Sequence, residues 1–282
     1  MPTSHEVLIV GGGAAGIAVA ASLRARLPGI DIAIVEPATT HFYQPGWTMV
    51  GAGIFKAGDT AHDMASVMPR EVRWIKAAAA EFAPERNAVV LADGSEVAYR
   101  SLVVCPGLQL DWQGIEGLVD ALGRNGVTSN YRFDLAPYTW ELVQQLRRGR
   151  VLFTQPAMPI KCAGAPQKAM YLSADHWRRA GVLDDIDIDF CSAGAVLFGV
   201  ADYVPALMEY VQAYGIGLNF GENLTAIDGE RKCATFTRTG ANGTKQTVVR
   251  DFDLIHVVPP QVAPDFLRSS PLADAAGWVD VD

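Results

Sequence analysis

The chain has 282 residues, of which 50% are apolar and 19% are charged, and its formal net charge at pH 7 is −8. The apolar fraction excludes intrinsic disorder, and the length suits two domains that each bury a core. The negative charge argues against a nucleic-acid partner, and no apolar run reaches the roughly 18–20 residues that cross a bilayer. The start of the chain has neither a signal-peptide nor a transit-peptide pattern, which predicts a location in a bacterial cytoplasm.

The first elements follow the order strand, helix, strand. Residues 6–10 and 31–35 are short apolar runs typical of buried parallel strands, and residues 14–27 predict a helix that stops at Pro28. This order predicts an open parallel sheet. After an irregular stretch at 37–70, strands are predicted at 72–75, 88–91, 96–99 and 101–105, the middle ones forming a small β insertion.

A second set of strands and helices begins near residue 112. Helices are predicted at 137–146, 169–179 and 203–214, and strands at 151–154, 187–190 and 216–220. Three further strands at 224–227, 233–237 and 247–250 alternate with turn signals. The apolar run 254–258 ends in a Pro-Pro pair and is similar to 101–105, which predicts that the chain returns there to the first sheet.

A glycine-rich turn lies between the first strand and the first helix. Gly11, Gly13 and Gly16 give the spacing GxGxxG, with Ala15 inside it, and Glu36 follows at the end of the second strand. These glycines permit a tight turn, approach of a pyrophosphate to the backbone and close helix–strand packing, while the acid accepts hydrogen bonds from a ribose. The motif predicts dinucleotide binding and disfavours a 2′-phosphate. A glycine-rich turn without a ligand is the alternative.

The second set of elements has no such turn. The strand at 151–154 runs into a loop that contains Pro156 and Pro159, so a pyridine-nucleotide donor is not expected. The same loop carries Cys162, flanked by Lys161 and followed by Lys168. Nearby cations favour a nucleophilic thiolate, which indicates redox chemistry; a small packed thiol is the alternative.

Three longer segments carry a specific resemblance. Residues 41–48 (HFYQPGWT), 159–168 (PIKCAGAPQK) and 273–282 (ADAAGWVDVD) resemble the sulfide:quinone oxidoreductase family, of the type shared with mitochondria, and the similarity covers essentially the whole chain. The resemblance implies an α/β fold of two Rossmann-like, doubly wound, three-layer domains of the disulfide-reductase flavoprotein type. The implied organisation is residues 1–111 as the first part of an FAD domain, 112–250 as the second Rossmann-like domain, and 251–282 as a return to the FAD domain.

The resemblance also implies the cofactor contacts. FAD would lie against the glycine turn, with Ala79 near the adenine and Pro45 of the first segment as a further contact. The turn Cys105-Pro106-Gly107 stands where the family has Ala-Thr-Gly close to FAD.

In that family a cysteine pair reacts with sulfide, the electrons pass through FAD to a quinone, and the persulfide sulfur goes to a small acceptor. Cys162 matches the cysteine next to the flavin, and Lys161 and Lys168 would attract anionic sulfur. The partner cysteine, the family's Gly-Asp pair and its membrane-binding helices are expected beyond residue 282, so membrane attachment is expected only of a longer protein, and a homo-oligomer is possible. The other cysteines are interpreted as structural. The alternatives are a type II NADH:quinone oxidoreductase and a non-catalytic FAD-binding fragment.

Overall fold

The computed structural model describes residues 3–240 and 242–281. The strands, in chain order, are β1 Thr3–Val10, β2 Ile32–Val35, β3 Thr40–Phe42, β4 Ala61–Asp63, β5 Arg73–Ile75, β6 Ala79–Ala83, β7 Ala88–Leu91, β8 Glu96–Val104, β9 Gln109–Leu110, β10 Val127–Thr128, β11 Gly149–Gln155, β12 Ile186–Ser192, β13 Gly217–Phe220, β14 Glu222–Asp228, β15 Cys233–Thr239, β16 Lys245–Asp251, β17 Leu254–His256 and β18 Gln261–Val262. The helices are α1 Ala14–Arg26, α2 Trp47–Val50, α3 Met64–Val67, α4 Leu118–Ala121, α5 Ala136–Gln145, α6 Gly164–Arg179, α7 Val204–Ala213 and α8 Asp265–Arg268.

The chain divides into two compact units. Unit 1 comprises the residues up to Tyr43, Ala61–Gln109 and the residues from Val262 onward, and unit 2 comprises Gln44–Thr60 and Leu110–Gln261. The domain boundaries at 111 and 250 stay a prediction. In the described part of the chain, no helix has both the length and the apolar composition for crossing a bilayer.

Unit 1 is built on a six-stranded sheet in the order β5-β2-β1-β8-β7-β6. β5, β2, β1 and β8 are parallel neighbours, whereas β7 and β6 continue the sheet antiparallel. Alternate residues of β1 face opposite cores: Ile9 packs in a cluster with Ala20 of α1, and Leu8 packs in a cluster with Phe82. Burial on both faces explains why β1 and β2 read as continuous apolar runs rather than as alternating ones.

Unit 2 contains a five-stranded parallel sheet in the order β10-β17-β11-β12-β13. One face packs against α6 and its neighbours around Phe153 and Trp177, and the other packs against the antiparallel sheet β14-β15-β16 around Leu152 and Phe236. Helix α6 begins at Gly164, five residues before the predicted start at residue 169, because Pro166 occupies its first turn, where proline is tolerated.

The prediction that residues 254–258 return to the first sheet is wrong. β17 pairs in parallel with β10 on one side and β11 on the other, with Ile255 opposite Val127 and Leu152. Its His256 is fully buried, and its Nε2 accepts a hydrogen bond from the backbone N–H of Asn130 at 2.9 Å. Burial lowers the pKa of His256 to about 4, so the imidazole is neutral at neutral pH.

A buried carboxylate links the two sheets of unit 2. Glu222 of β14 has no exposed surface and accepts hydrogen bonds from Arg238 and Arg250, while Arg250 also donates to Asn219 at 2.7 Å. Burial alone raises the pKa of Glu222, but the bonds from the two guanidinium groups outweigh it and leave the pKa below its usual value. The ion pair is therefore part of what attaches the antiparallel sheet to β13.

Candidate cofactor and cysteine sites

The glycine turn of unit 1 connects β1 to α1. Gly11 has φ +104°, and a Cβ on it would lie 2.0 Å from the backbone oxygen of Cys105. The Cys105 N–H donates to the Val10 oxygen at 2.8 Å, so the end of β8 packs directly on the turn. Only glycine suits position 11, because both the backbone conformation and the space exclude a side chain.

Gly13 is glycine for a different reason. Its backbone, at φ −74° and ψ −172°, is extended and open to any residue, yet no heavy atom of the described residues lies within 4 Å of where its Cβ would be. Gly13 is also the N-cap of α1, whose first N–H groups have no partner within the helix. Open space in front of free N–H groups fits a pyrophosphate, so this part of the turn fits a dinucleotide cofactor.

Glu36 follows β2 and is held by the backbone around the turn. Its Oε2 accepts from the Gly12 N–H at 2.8 Å and its Oε1 accepts from the Ala38 N–H at 2.7 Å. Each carboxylate oxygen has a further lone pair, so a ribose hydroxyl can still donate to this group. The two backbone bonds thus fix the carboxylate in place and leave it able to accept further hydrogen bonds.

The remaining predicted cofactor contacts are spread over both units. Ala79 is the first residue of β6 and pairs with Leu91. Gly107 has φ +74° and open space at its Cβ position, and Pro106 precedes it. Burial raises the pKa of the Cys105 thiol, which suits a structural thiol rather than a nucleophile.

Pro45 belongs to unit 2, where it is exposed in a short turn before α2. The assignment of Gly11, Gly13, Ala15, Gly16, Glu36, Pro45, Ala79, Cys105, Pro106 and Gly107 to cofactor binding stays a prediction.

Cys162 lies in the loop between β11 and α6, two residues before the helix begins. It is exposed, and none of the chain's cysteines forms a disulfide within the described residues. Two buried side chains hold the backbone on either side of it. The O–H of Tyr131 donates to the Cys162 carbonyl at 3.2 Å, and the Lys161 N–H donates to Oε1 of Gln261 at 2.6 Å.

The Lys161 ammonium is held by groups of unit 2. It donates to Oε1 of Gln44 and lies 5.0 Å from the ring centroid of Tyr131 and 5.7 Å from that of Trp47. Both distances fall within the range of a cation–π interaction. Burial against these groups lowers the pKa of Lys161, and a negative charge on Cys162 would act in the opposite direction.

The structure therefore distinguishes the two predicted lysines. Lys161 is fixed in the loop next to Cys162, whereas Lys168 is exposed on α6 and its side chain makes no hydrogen bond or ion pair with another described residue. Gln44, Tyr131 and Gln261 were missed in the sequence. Gln44 lies inside the segment HFYQPGWT, but no spacing connects Tyr131 or Gln261 to Cys162. The catalytic roles of Cys162, Lys161 and Lys168 stay predictions.

The other cysteines of unit 2 have different surroundings. Cys191 of β12 is fully buried, and burial raises the pKa of its thiol. Cys233 is the first residue of β15 and is partly exposed. Cys233 also follows a lysine, Lys232, but it is only partly exposed and belongs to a strand, whereas Cys162 is exposed in the loop before α6.

Comparison with known proteins extends these observations. Residues 5–144 match the family described as pyridine nucleotide-disulphide oxidoreductase. Over 99% of its length the chain is 40% identical to the mitochondrial sulfide:quinone oxidoreductase of Mus musculus, and over 98% it is 42% identical to that of Dictyostelium discoideum. The chain spans 61% of the length of each of these relatives. The resemblance inferred from the sequence is confirmed.

Solved structures agree on the fold. The sulfide:quinone oxidoreductase from the bacterium Aquifex aeolicus superposes with a TM-score of 0.79 at 19% identity, over 97% of this chain and 63% of that one. The NADH complex of NDH2 from Plasmodium falciparum superposes with a TM-score of 0.65 at 10% identity, over 94% of this chain and 57% of that one. The predicted fold class, two Rossmann-like domains of the disulfide-reductase flavoprotein type, is confirmed.

Proposed function

We propose that this chain, which is of the sulfide:quinone oxidoreductase type in sequence and in fold, oxidises sulfide and passes the electrons through FAD to a quinone. The relatives named above support the reaction, since they match the chain over nearly its whole length. The observation that carries the proposal within the structure is Cys162, an exposed thiol beside a fixed ammonium group. Thiolates in such electropositive surroundings are the reactive ones.

FAD is the form of flavin that suits unit 1. A dinucleotide has a pyrophosphate and a ribose, and the unit offers the open N-terminus of α1 for the first and the anchored Glu36 for the second. A flavin mononucleotide would use neither arrangement fully. Bound FAD would supply the acceptor for an electron pair and hand that pair on to the quinone.

The residues of unit 2 prepare the sulfur chemistry. Cys162 would present its sulfur at the surface of the loop, where hydrosulfide or a sulfur-bearing intermediate reaches it, and Lys161 would balance negative charge on that sulfur. Tyr131 and Gln261 hold the backbone of this pair. We propose a second thiol as the partner of Cys162 in a disulfide: hydrosulfide attacks that disulfide, its S–S bond breaks, one sulfur carries the persulfide and the other leaves as a thiolate. A small sulfur acceptor then takes the outer sulfur of the persulfide.

A nicotinamide donor is disfavoured by the same loop. Between the end of β11 at Gln155 and the start of α6 at Gly164 the chain has prolines at 156 and 159 instead of glycines. A pyrophosphate needs glycines to approach the backbone at such a turn. The type II NADH:quinone oxidoreductase alternative therefore has no phosphate turn in unit 2.

The test is anaerobic reduction of the flavin that co-purifies with a longer protein that carries the partner thiol of Cys162, followed by its visible absorbance; the 282 residues alone should show little sulfide:quinone activity. We expect sulfide to bleach the flavin, NADH to leave it oxidised, and Cys162→Ser to retain flavin but lose bleaching by sulfide. Cys233→Ser is the matched control and should behave like the wild type. Bleaching by NADH alone would contradict the proposal and favour the NADH reading, and a flavin inert to both donors would favour a non-catalytic flavin-binding module.

Three further features stay predictions under this proposal. They are a homo-oligomer, attachment of a longer protein to a membrane surface, and location in a bacterial cytoplasm or on the inner membrane. Reduction of a soluble quinone analogue by sulfide, with sulfite or a thiol added as acceptor, would identify the remaining partners.

A further inference from the structure

Tyr131 touches both members of the Lys161–Cys162 pair. It follows β10, is 4% exposed, and packs in a small apolar cluster with Ile160 and Val258. Its hydroxyl donates to the Cys162 carbonyl at 3.2 Å, and its ring centroid lies 5.0 Å from the Lys161 ammonium. One buried side chain thus contacts the backbone of the cysteine and the charge of the lysine.

We infer that Tyr131 is a positioning residue, whose ring fixes the Lys161 ammonium beside Cys162 and whose hydroxyl fixes the loop that carries them. The inference rests on the proposed function in one respect only, the choice of Cys162 as the reacting thiol. The hydroxyl of Tyr131 bonds to the backbone carbonyl of Cys162 and not to its sulfur.

The need for such a residue follows from the chemistry of lysine. A lysine side chain is a flexible four-carbon stem with a strongly hydrated charge, and on an exposed loop it samples many rotamers. A charge that moves away from the sulfur stabilises an anion there only part of the time. The rings of Tyr131 and Trp47 and the amide oxygen of Gln44 together restrict where the Lys161 charge resides.

Gln261 provides a second, independent restraint on the same loop. It is 4% exposed, and its Oε1 accepts the Lys161 N–H at 2.6 Å. Tyr131 and Gln261 therefore hold the Lys161-Cys162 dipeptide at opposite ends: Gln261 binds the N–H of Lys161, and Tyr131 binds the carbonyl of Cys162. With both ends held, the position of the Lys161 ammonium is determined by Tyr131, Trp47 and Gln44.

The test measures the charge at Cys162 by alkylation, without sulfide or quinone. The purified 282-residue chain is treated with anionic iodoacetate or neutral iodoacetamide, and the labelling rate of Cys162 is followed by peptide mass spectrometry. The ratio of the two rates reports the local positive charge. The variants are Tyr131→Leu, which removes ring and hydroxyl, Tyr131→Phe, which keeps the ring, and Lys161→Met; the matched charge control is Lys245→Met, on β16 of the same unit.

We expect Tyr131→Leu to lower the iodoacetate-to-iodoacetamide ratio about threefold, the size of effect that a cation–π contact of this kind implies. Tyr131→Phe should keep the wild-type ratio, because the ring remains, but should change the rates of both reagents together, because the hydroxyl that holds the loop is lost. Lys245→Met should leave both the ratio and the rates unchanged. In the background Lys161→Met, adding Tyr131→Leu should cause no further fall. Gln44→Ala, an exposed change that leaves the core intact, should lower the ratio in the same direction.

A wild-type ratio in Tyr131→Leu would overturn the inference, and so would an equal loss in Tyr131→Phe and Tyr131→Leu, because the ring would then have no part in holding the charge. A merely structural role would slow or speed both reagents together and leave the ratio unchanged. If the ratio falls as expected while Cys162→Ser still oxidises sulfide, the positioning of Lys161 stands and the proposed function fails.

Discussion

Position 13 allows cofactor binding to be separated from folding. Gly13→Ala adds a methyl group where no heavy atom of the described residues lies within 4 Å, at backbone angles of −74° and −172° that alanine adopts without strain. We expect the variant to fold normally but to bind FAD weakly, because the methyl group occupies the space through which a pyrophosphate approaches the backbone.

The magnitudes differ for the two properties. Alanine restricts the unfolded chain more than glycine does, which stabilises the fold by about 0.4–1 kcal/mol, while its poorer quality as an N-cap costs roughly 0.5 kcal/mol. These terms offset each other, so the free energy of unfolding should change by less than about 1 kcal/mol. A hydrogen bond to a charged phosphate contributes about 1.5–3 kcal/mol, so loss of one weakens FAD binding roughly 10- to 150-fold.

The assay titrates the chain, stripped of flavin, into FAD and follows quenching of the flavin fluorescence, with urea unfolding of the same preparations measured in parallel. Gly11→Ala is the matched control: its methyl group would lie 2.0 Å from the Cys105 oxygen at φ +104°, so we expect it to lose stability as well as FAD. Equal FAD affinity in the wild type and Gly13→Ala would refute the placement of the pyrophosphate at this turn.

Three further predictions concern stability. Glu222→Gln leaves two arginines without their buried anion and should lower the free energy of unfolding by about 3 kcal/mol in urea titrations, and a change below about 1 kcal/mol would contradict this. Gly53→Ala places a methyl group 2.3 Å from the Trp140 ring at φ +71° and should cost about 1–3 kcal/mol with a shift in tryptophan emission, whereas an unchanged melting temperature would argue against this packing. The pKa of His256 is about 4 in the folded protein and about 6.5 in the unfolded chain, so the unfolded chain binds a proton first as the pH falls. The free energy of unfolding should therefore decrease between about pH 6.5 and pH 4, by up to about 1.4 kcal/mol per pH unit. His256→Gln should remove that slope, and an undiminished slope would assign it to other groups.

Local patterns in the sequence predicted most of the elements and the glycine turn. The GxGxxG spacing of Gly11, Gly13 and Gly16 is local. In the structure a side chain at position 11 would clash with the backbone, whereas position 13 faces open space in which a pyrophosphate fits. The start of α6 was missed because Pro166 suggested a loop, although the first turn of a helix tolerates proline.

Contacts between residues far apart in the chain could not be predicted from such local patterns. The run 254–258 has the composition of any buried parallel strand, and only pairing with β10 and β11 assigns it to unit 2. Tyr131 and Gln261 lie about 30 and 100 residues from Cys162 along the chain. A single sequence has no period or motif that joins residues so far apart, whereas Lys161 was found because it is the neighbour of the cysteine.

The internal position of β17 affects how unit 2 forms during synthesis. β17 lies between β10 and β11, so the sheet lacks one of its internal strands until His256 has been made. At about 5–20 residues per second the ribosome adds β17 roughly 5–20 s after β11, and for that interval β11 has an unpaired apolar edge. Nascent chains shorter than this point should be susceptible to aggregation and proteolysis, and addition of the few residues of β17 closes that edge and brings β10 into the sheet.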